Sequence, residues 1–190
     1  MKTRFSFKNH LSHTFFIYIA AIAVTSLGCS YGIMLKTNPK DFEKFSIFTE
    51  ASFINETSFR NQMNDVLPED KIINLYYADV NDRSYSTYFS SFGLNSDICL
   101  LSKTTLDKFE SIQFLNLKDT RWDLAENYYF ETYSIGVKCH SKDGSELNSY
   151  FTFGVDDYYL LILKNSVHLK GITSGKTDQT NRVLEYLLSL

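Results

Sequence analysis

The sequence predicts an α/β chain: one N-terminal transmembrane helix, then a single three-layer domain with a mostly parallel mixed sheet. Three observations carry that expectation. Residues 14–35 form an uncharged run, strand-like and helix-like segments alternate between 45 and 110, and an amphipathic helix at 178–189 follows a strongly apolar strand.

The run TFFIYIAAIAVTSLGCSYGIML follows a basic segment, 1–13, holding Lys2, Arg4 and Lys8, and precedes Lys36; the first acidic residue is Asp41. At about 1.5 Å per residue a helix of this length reaches about 33 Å, enough for a hydrocarbon core of roughly 30 Å. Two other readings compete. A cleaved signal peptide has an apolar region of roughly 7–15 residues ending at small residues, and this run continues past Thr25-Ser26. Gly28-Cys29 is similar to a lipidation site, although Ser26 stands where a Leu-type residue is usual and Leu27 where a small one is usual. An uncleaved anchor fits best. The flanking positive charge keeps the N-terminus cytoplasmic. The expectation is a single-pass cell-membrane protein whose remaining 155 residues are extracytoplasmic.

Those residues suffice for one domain with a real core. They carry sixteen basic and twenty-two acidic residues, a net charge near −6, which argues against nucleic acid as a partner. Across the whole chain, sixteen Phe and thirteen Tyr against two Pro suit a strand-rich core. Cys99 and Cys139 are the only cysteines beyond the apolar run; they could pair in an oxidising compartment, and a buried free thiol at Cys99 is the competing reading. No CxxC or HExxH spacing occurs, so no metal or cofactor is expected.

After a polar linker at 36–44 the domain runs from 45 to 190. FSIFT at 45–49 alternates and is β-prone, a first strand. Asn55 is an N-cap for a helix over 56–67, with Phe59, Met63 and Leu67 on one face, and Pro68 ends it. Ile72 to Tyr77 is a second strand. A polar loop from Asp79 to Ser84 leads to a short helix at 85–92, ended by Gly93. DICLL at 97–101 is nearly continuous in apolar character, as buried parallel strands are. Thr104 or Thr105 then caps a helix holding Leu106 and Phe109. This alternation favours a parallel sheet.

The second half differs. Tyr128 to His140 and Tyr150 to Phe153 read as strands around a turn at Ser141-Lys142-Asp143-Gly144. Tyr158 to Leu163 is a strong strand, and the closing helix turns Val183, Leu184, Leu187 and Leu188 inward.

The order FSIFTE, helix, IINLYY, helix, SDICLLS, helix resembles the first lobe of type 2 extracellular solute-binding proteins. The later YYLLILKNSVHLKG with a terminal helix is similar to the strand and helix that some members return to that lobe. The resemblance covers 36–110 and 156–190. Members have two lobes that close on a ligand, and this chain has room for about one. The resemblance implies a ligand cleft at the carboxyl ends of the strands. Thr49, Glu50 and Phe53 follow the first strand, Tyr77 and Asp79 the second, and Ser102 the third; each also has a plain reading as a loop or capping residue. Trp122, the only tryptophan, could stack on a sugar or fill the core.

Other motifs carry less. Gly171 to Thr177 sits between a strand and a helix, but a phosphate-binding loop needs four residues between its glycines and three are present. His140, His168 and the pair Asp156-Asp157 could do acid–base work only if brought together, and no GxSxG nucleophile motif occurs. Asn55-Glu56-Thr57 matches a glycosylation sequon, a pattern that arises often by chance. The function expected is a non-enzymatic, membrane-anchored domain like a solute-binding protein, taking a sugar or other small polar solute. The alternative is an interaction module that docks on a membrane transporter, a sensor or a second copy of itself.

Overall fold

The structure is a computed structural model that describes residues 18–19, 22–26, 43–69, 71–108, 113–140, 149–166, 168 and 179–189. The chain divides into two compact units, Met1–Lys40 and Asp41–Leu190.

In the first unit the expected transmembrane helix over 14–35 is not supported. Among the described residues no helix is long and apolar enough to cross a membrane. The run contains Thr25, Ser26, Gly28, Ser30 and Gly32, all weaker helix formers than alanine or leucine. The Thr25 hydroxyl donates back to the Ile22 carbonyl at 3.0 Å. The single-pass localisation, with an extracytoplasmic domain, loses its basis with the helix.

The second unit is α/β with a mixed sheet. Strand β1 (Lys44–Thr49) leads through β2 (Ser52–Phe53) to helix α1 (Glu56–Val66) and β3 (Ile72–Tyr77). The Asn55 side chain accepts from Ser58 N–H at 2.9 Å and starts α1, and Glu56 pairs with Arg60 one turn on. Asp79 and Asp82 close the next loop by accepting from the backbone N–H groups of Asn81 and Ser84. Helix α2 (Tyr85–Ser91) turns Tyr85 and Phe89 inward. A Cβ on Gly93 would run into the Phe89 ring, so the tight 3₁₀ turn at Gly93–Asn95 depends on glycine there.

Next come β4 (Ile98–Ser102) and the single turn α3 (Lys103–Leu106). Ser102 caps α3, in place of the expected Thr104 or Thr105, with Asp156 Oδ2 accepting from Thr104 N–H at 2.8 Å. Strands β5 (Tyr128–Phe130), β6 (Tyr133–His140), β7 (Phe151–Thr152) and β8 (Tyr158–Ile162) and helix α4 (Gln179–Ser189) complete the unit. The expected turn at Ser141–Gly144, Phe109 and the segment Gly171–Thr177 lie outside the described residues.

The sheet order is β3-β1-β4-β8-β6-β5, and β2 pairs with β7 separately. β3, β1 and β4 are parallel neighbours, whereas β4–β8, β8–β6 and β6–β5 are antiparallel. The expectation of a mostly parallel sheet is therefore corrected. The stretch 128–140 folds back on itself as a hairpin, with Glu131 at φ 52°, instead of crossing over through a helix.

Side-chain alternation sorts the core onto two faces. Phe45, Ile47, Ile73, Ile98, Leu100, Leu160 and Ile162 meet Phe59 and Met63 of α1 and Val183, Leu184 and Leu187 of α4. Phe48, Cys99, Leu101, Ile135 and Leu161 meet Tyr85 and Phe89 of α2 and Leu106 of α3. Cys99 belongs to the second face and Cys139 packs against the first, so the sheet separates them and both are free. Burial pushes both thiols up, which suppresses the reactive thiolate. In the native chain neither should react with iodoacetamide at pH 8 or on raising the pH by a unit; both should react after unfolding. Peptide mapping of Cys99 and Cys139 checks this.

Candidate functional site

The sheet presents two polar ends. At the carboxyl ends of the parallel strands stand the residues expected to bind ligand. Thr49, Glu50 and Ser102 are buried there. The Glu50 carboxylate accepts from the Tyr85 hydroxyl and, at 2.8 Å, from Ser102 N–H. The Thr49 hydroxyl is engaged by both backbone groups of Ala51 at 3.0 Å. Ser102 Oγ accepts from Thr105 N–H at 3.3 Å. These groups tie the loops after β1 and β4 to α2 and α3. Tyr77 and Asp79 are exposed beyond them. Phe53 stacks among Phe59 and Phe151, with ring centroids 5.6 and 5.1 Å away. Trp122 is buried; its Nε1–H donates to Asn181 Oδ1 of α4 at 3.0 Å, and the Arg121 guanidinium lies 4.7 Å from its ring. The structure thus brings Thr49, Glu50 and Ser102 together and holds Phe53 and Trp122 in the core on the α1–α4 face.

Tyrosines near these carboxylates resist ionisation. Burial and then Glu50 push Tyr85 far up. Tyr128 is pushed up to about 12, first by burial and then by the Asp107 carboxylate to which it donates at 2.7 Å. The folded state keeps this proton to higher pH than the unfolded chain does. The Tyr128 contribution is therefore whole below pH 10 and is lost as the pH rises through about 12. Stability should fall across that window, and less steeply in Tyr128→Phe; urea midpoints at stepped pH measure it.

At the opposite end, a cavity of about 420 Å³ opens on the α2 face of the sheet. Its floor is Lys44 and Ser46 of β1 with Asn74 and Tyr76 of β3; its walls are Leu94 to Asp97 and Asn165-Ser166, just past β8. The register explains it. Ser46 and Asn74 are direct neighbours, one pair before Phe48 and Tyr76, which α2 covers. Polar side chains at the same position of adjacent strands cannot be roofed by an apolar helix, so that part of the sheet stays open.

Asp97 anchors the cavity. Its Oδ2 accepts from Ser46 N–H at 2.8 Å, and its Oδ1 accepts from the Ser166 hydroxyl and lies 3.0 Å from His168 Nδ1. Asp97 and His168 are 5% and 8% exposed. His168 also sits 5.5 Å from the Phe45 ring, and its carbonyl accepts from Thr180 of α4. Ser166 and His168 hang from the same carboxylate oxygen, so this is not a relay in which the imidazole takes the serine proton. Asp156 and Asp157 lie elsewhere: Asp156 caps α3, and Asp157 meets Lys138 at 3.3 Å. Among the described residues no group of His, Cys, Asp or Glu could hold a metal ion.

No family model, curated protein or solved structure matches the chain. Reading the sequence alone missed the cavity and the Asp97–His168 pair. The available signal for the first was a polar residue inside each of two neighbouring strands, Ser46 and Asn74. The pair, 71 residues apart, left no local pattern.

A second hollow of about 420 Å³, lined by Arg60, Asn64, Pro68, Glu69, Lys71, Ile72 and Ile73, is more open. Arg60 is engaged there by Glu56 and by the Ile73 carbonyl.

Proposed function

We propose that the chain is a non-enzymatic binding domain for a small polar solute, built like one lobe of a type 2 extracellular solute-binding protein. One observation carries the proposal: a polar cavity of about 420 Å³, within the usual size of ligand sites, formed wholly by this chain. The parallel trio β3-β1-β4, with β8 returned beside β4, supports the likeness to such a lobe. The solute position differs from the one the resemblance implies. It lies at the amino-terminal half of the strands on one face of the sheet, so binding needs no second lobe. The non-enzymatic reading is supported by Asp97, whose carboxylate is spent on Ser46, Ser166 and His168.

A thermal-shift panel of sugars, amino acids, short peptides and phosphorylated compounds on the full-length chain tests the proposal. A solute at a hundred times its dissociation constant stabilises the fold by about 2.7 kcal/mol, a rise of several degrees at this size. Silence across the panel from a cooperatively melting protein would contradict the proposal and turn the search to protein partners.

A further inference from the structure

We infer that the solute is neutral and polyhydroxylic, a compound of monosaccharide size, held by Ser46, Asn74 and Asn165 with one face on Tyr76. This inference rests on the solute-binding reading and narrows it to one chemical class.

The fold leaves hydrogen-bonding capacity unspent beside the cavity. The side chains of Ser46, Asn74, Tyr76 and Asn165 form no hydrogen bond with any described residue, and all four border the same cavity. Ser96 and Ser166, also on its wall, are instead committed, to the Phe92 carbonyl and to Asp97. Asn95, also on the wall, donates an amide N–H to the Ser91 carbonyl.

The type of unspent group sets the class. A carboxamide offers two donors and an acceptor carbonyl, and a hydroxyl both donates and accepts. Their complement is a ligand whose groups also do both, and neighbouring hydroxyls on a ring meet that need. Charge points the same way. The lining holds one cation, Lys44, and one carboxylate, Asp97, of opposite sign. Asp97 is already engaged three times, so it does not offer a bare charge to an ammonium group. An anion entering beside Lys44 would meet Asp97 as well.

Tyr76 supplies the apolar part of the site. Its ring lies 4.8 Å from Phe92, which lies 4.5 Å from Tyr88, so the platform is braced from behind. The C–H face of a sugar ring packs on such a platform while its hydroxyls reach the amides.

The test is calorimetric titration of the full-length chain with D-glucose, D-galactose, D-mannose and myo-inositol. D-glucuronate, D-glucosamine, glycine and inorganic phosphate are titrated alongside. The expected result is saturable binding of at least one neutral compound, at least tenfold tighter than its charged counterpart. Asn74→Ala and Asn165→Ala should each weaken it by about tenfold or more. Asn165 lies in an exposed loop, so its variant separates lost contact from lost folding. Binding of glucuronate, glucosamine, glycine or phosphate alone would overturn the class and leave the solute-binding reading standing. Silence from all eight would overturn the class, and silence from the wider panel would remove the reading beneath it. Neutral binding unchanged in both variants would overturn the assignment of these residues.

Discussion

Replacing Asp97 with alanine should lower stability by about 3–5 kcal/mol and abolish solute binding. The carboxylate is buried, and its loss removes the acceptor of the Ser46 N–H and of the Ser166 hydroxyl and its contact with the His168 ring. A donor stranded where water cannot replace its partner costs about 1–3 kcal/mol. The damage also reaches the cavity, because Ser46 is part of its floor and Ser166 part of its wall. Asp97→Asn keeps one acceptor oxygen and should lose less. Urea unfolding measures both: the midpoint should drop with the slope unchanged. An alanine variant within about 1 kcal/mol of the parent would show that Asp97 does not hold the return from β8 to α4.

Phe59→Ala should cost as much and leave solute affinity intact. Phe59 is fully buried, with Phe53, Tyr150 and Phe151 ring centroids at 5.0–5.6 Å. Removing a buried phenyl ring from such a cluster costs about 3–5 kcal/mol through lost burial and the cavity left behind. The ring lies on the α1–α4 face, while the polar cavity lies on the α2 face. Stability and binding should therefore part company in this variant and fall together in Asp97→Ala. Matched unfolding and calorimetry on the two proteins make the comparison. A large affinity loss in folded Phe59→Ala would mean that the two faces are coupled through the sheet.

What could be read from the sequence was what depends on neighbours along the chain. Asn55 as a cap, Phe59 and Met63 as the inner face of α1, and Ile72–Tyr77 as a strand all follow from local spacing. The sheet order did not follow, because pairing in the second half turns on how the chain reverses at Glu131, where φ is positive at a non-glycine residue. The uncharged run at 14–35 suits a span by hydropathy, which measures only what the chain avoids; among the described residues no helix is long and apolar enough to cross a membrane. Glu50 and Ser102 look like exposed ligand groups in a loop. Only the approach of Tyr85 and of the start of α3 shows them as an internal tie.

The most direct test of the account is an amide nuclear magnetic resonance titration of the full-length chain with the neutral sugar that binds most tightly. Saturable shifts are expected at Ser46, Asn74, Tyr76, Asn95 and Asn165, with the carboxyl-end residues Thr49, Tyr77, Asp79 and Ser102 unmoved. Shifts centred on those four residues instead would contradict it and move the site to the other end of the sheet.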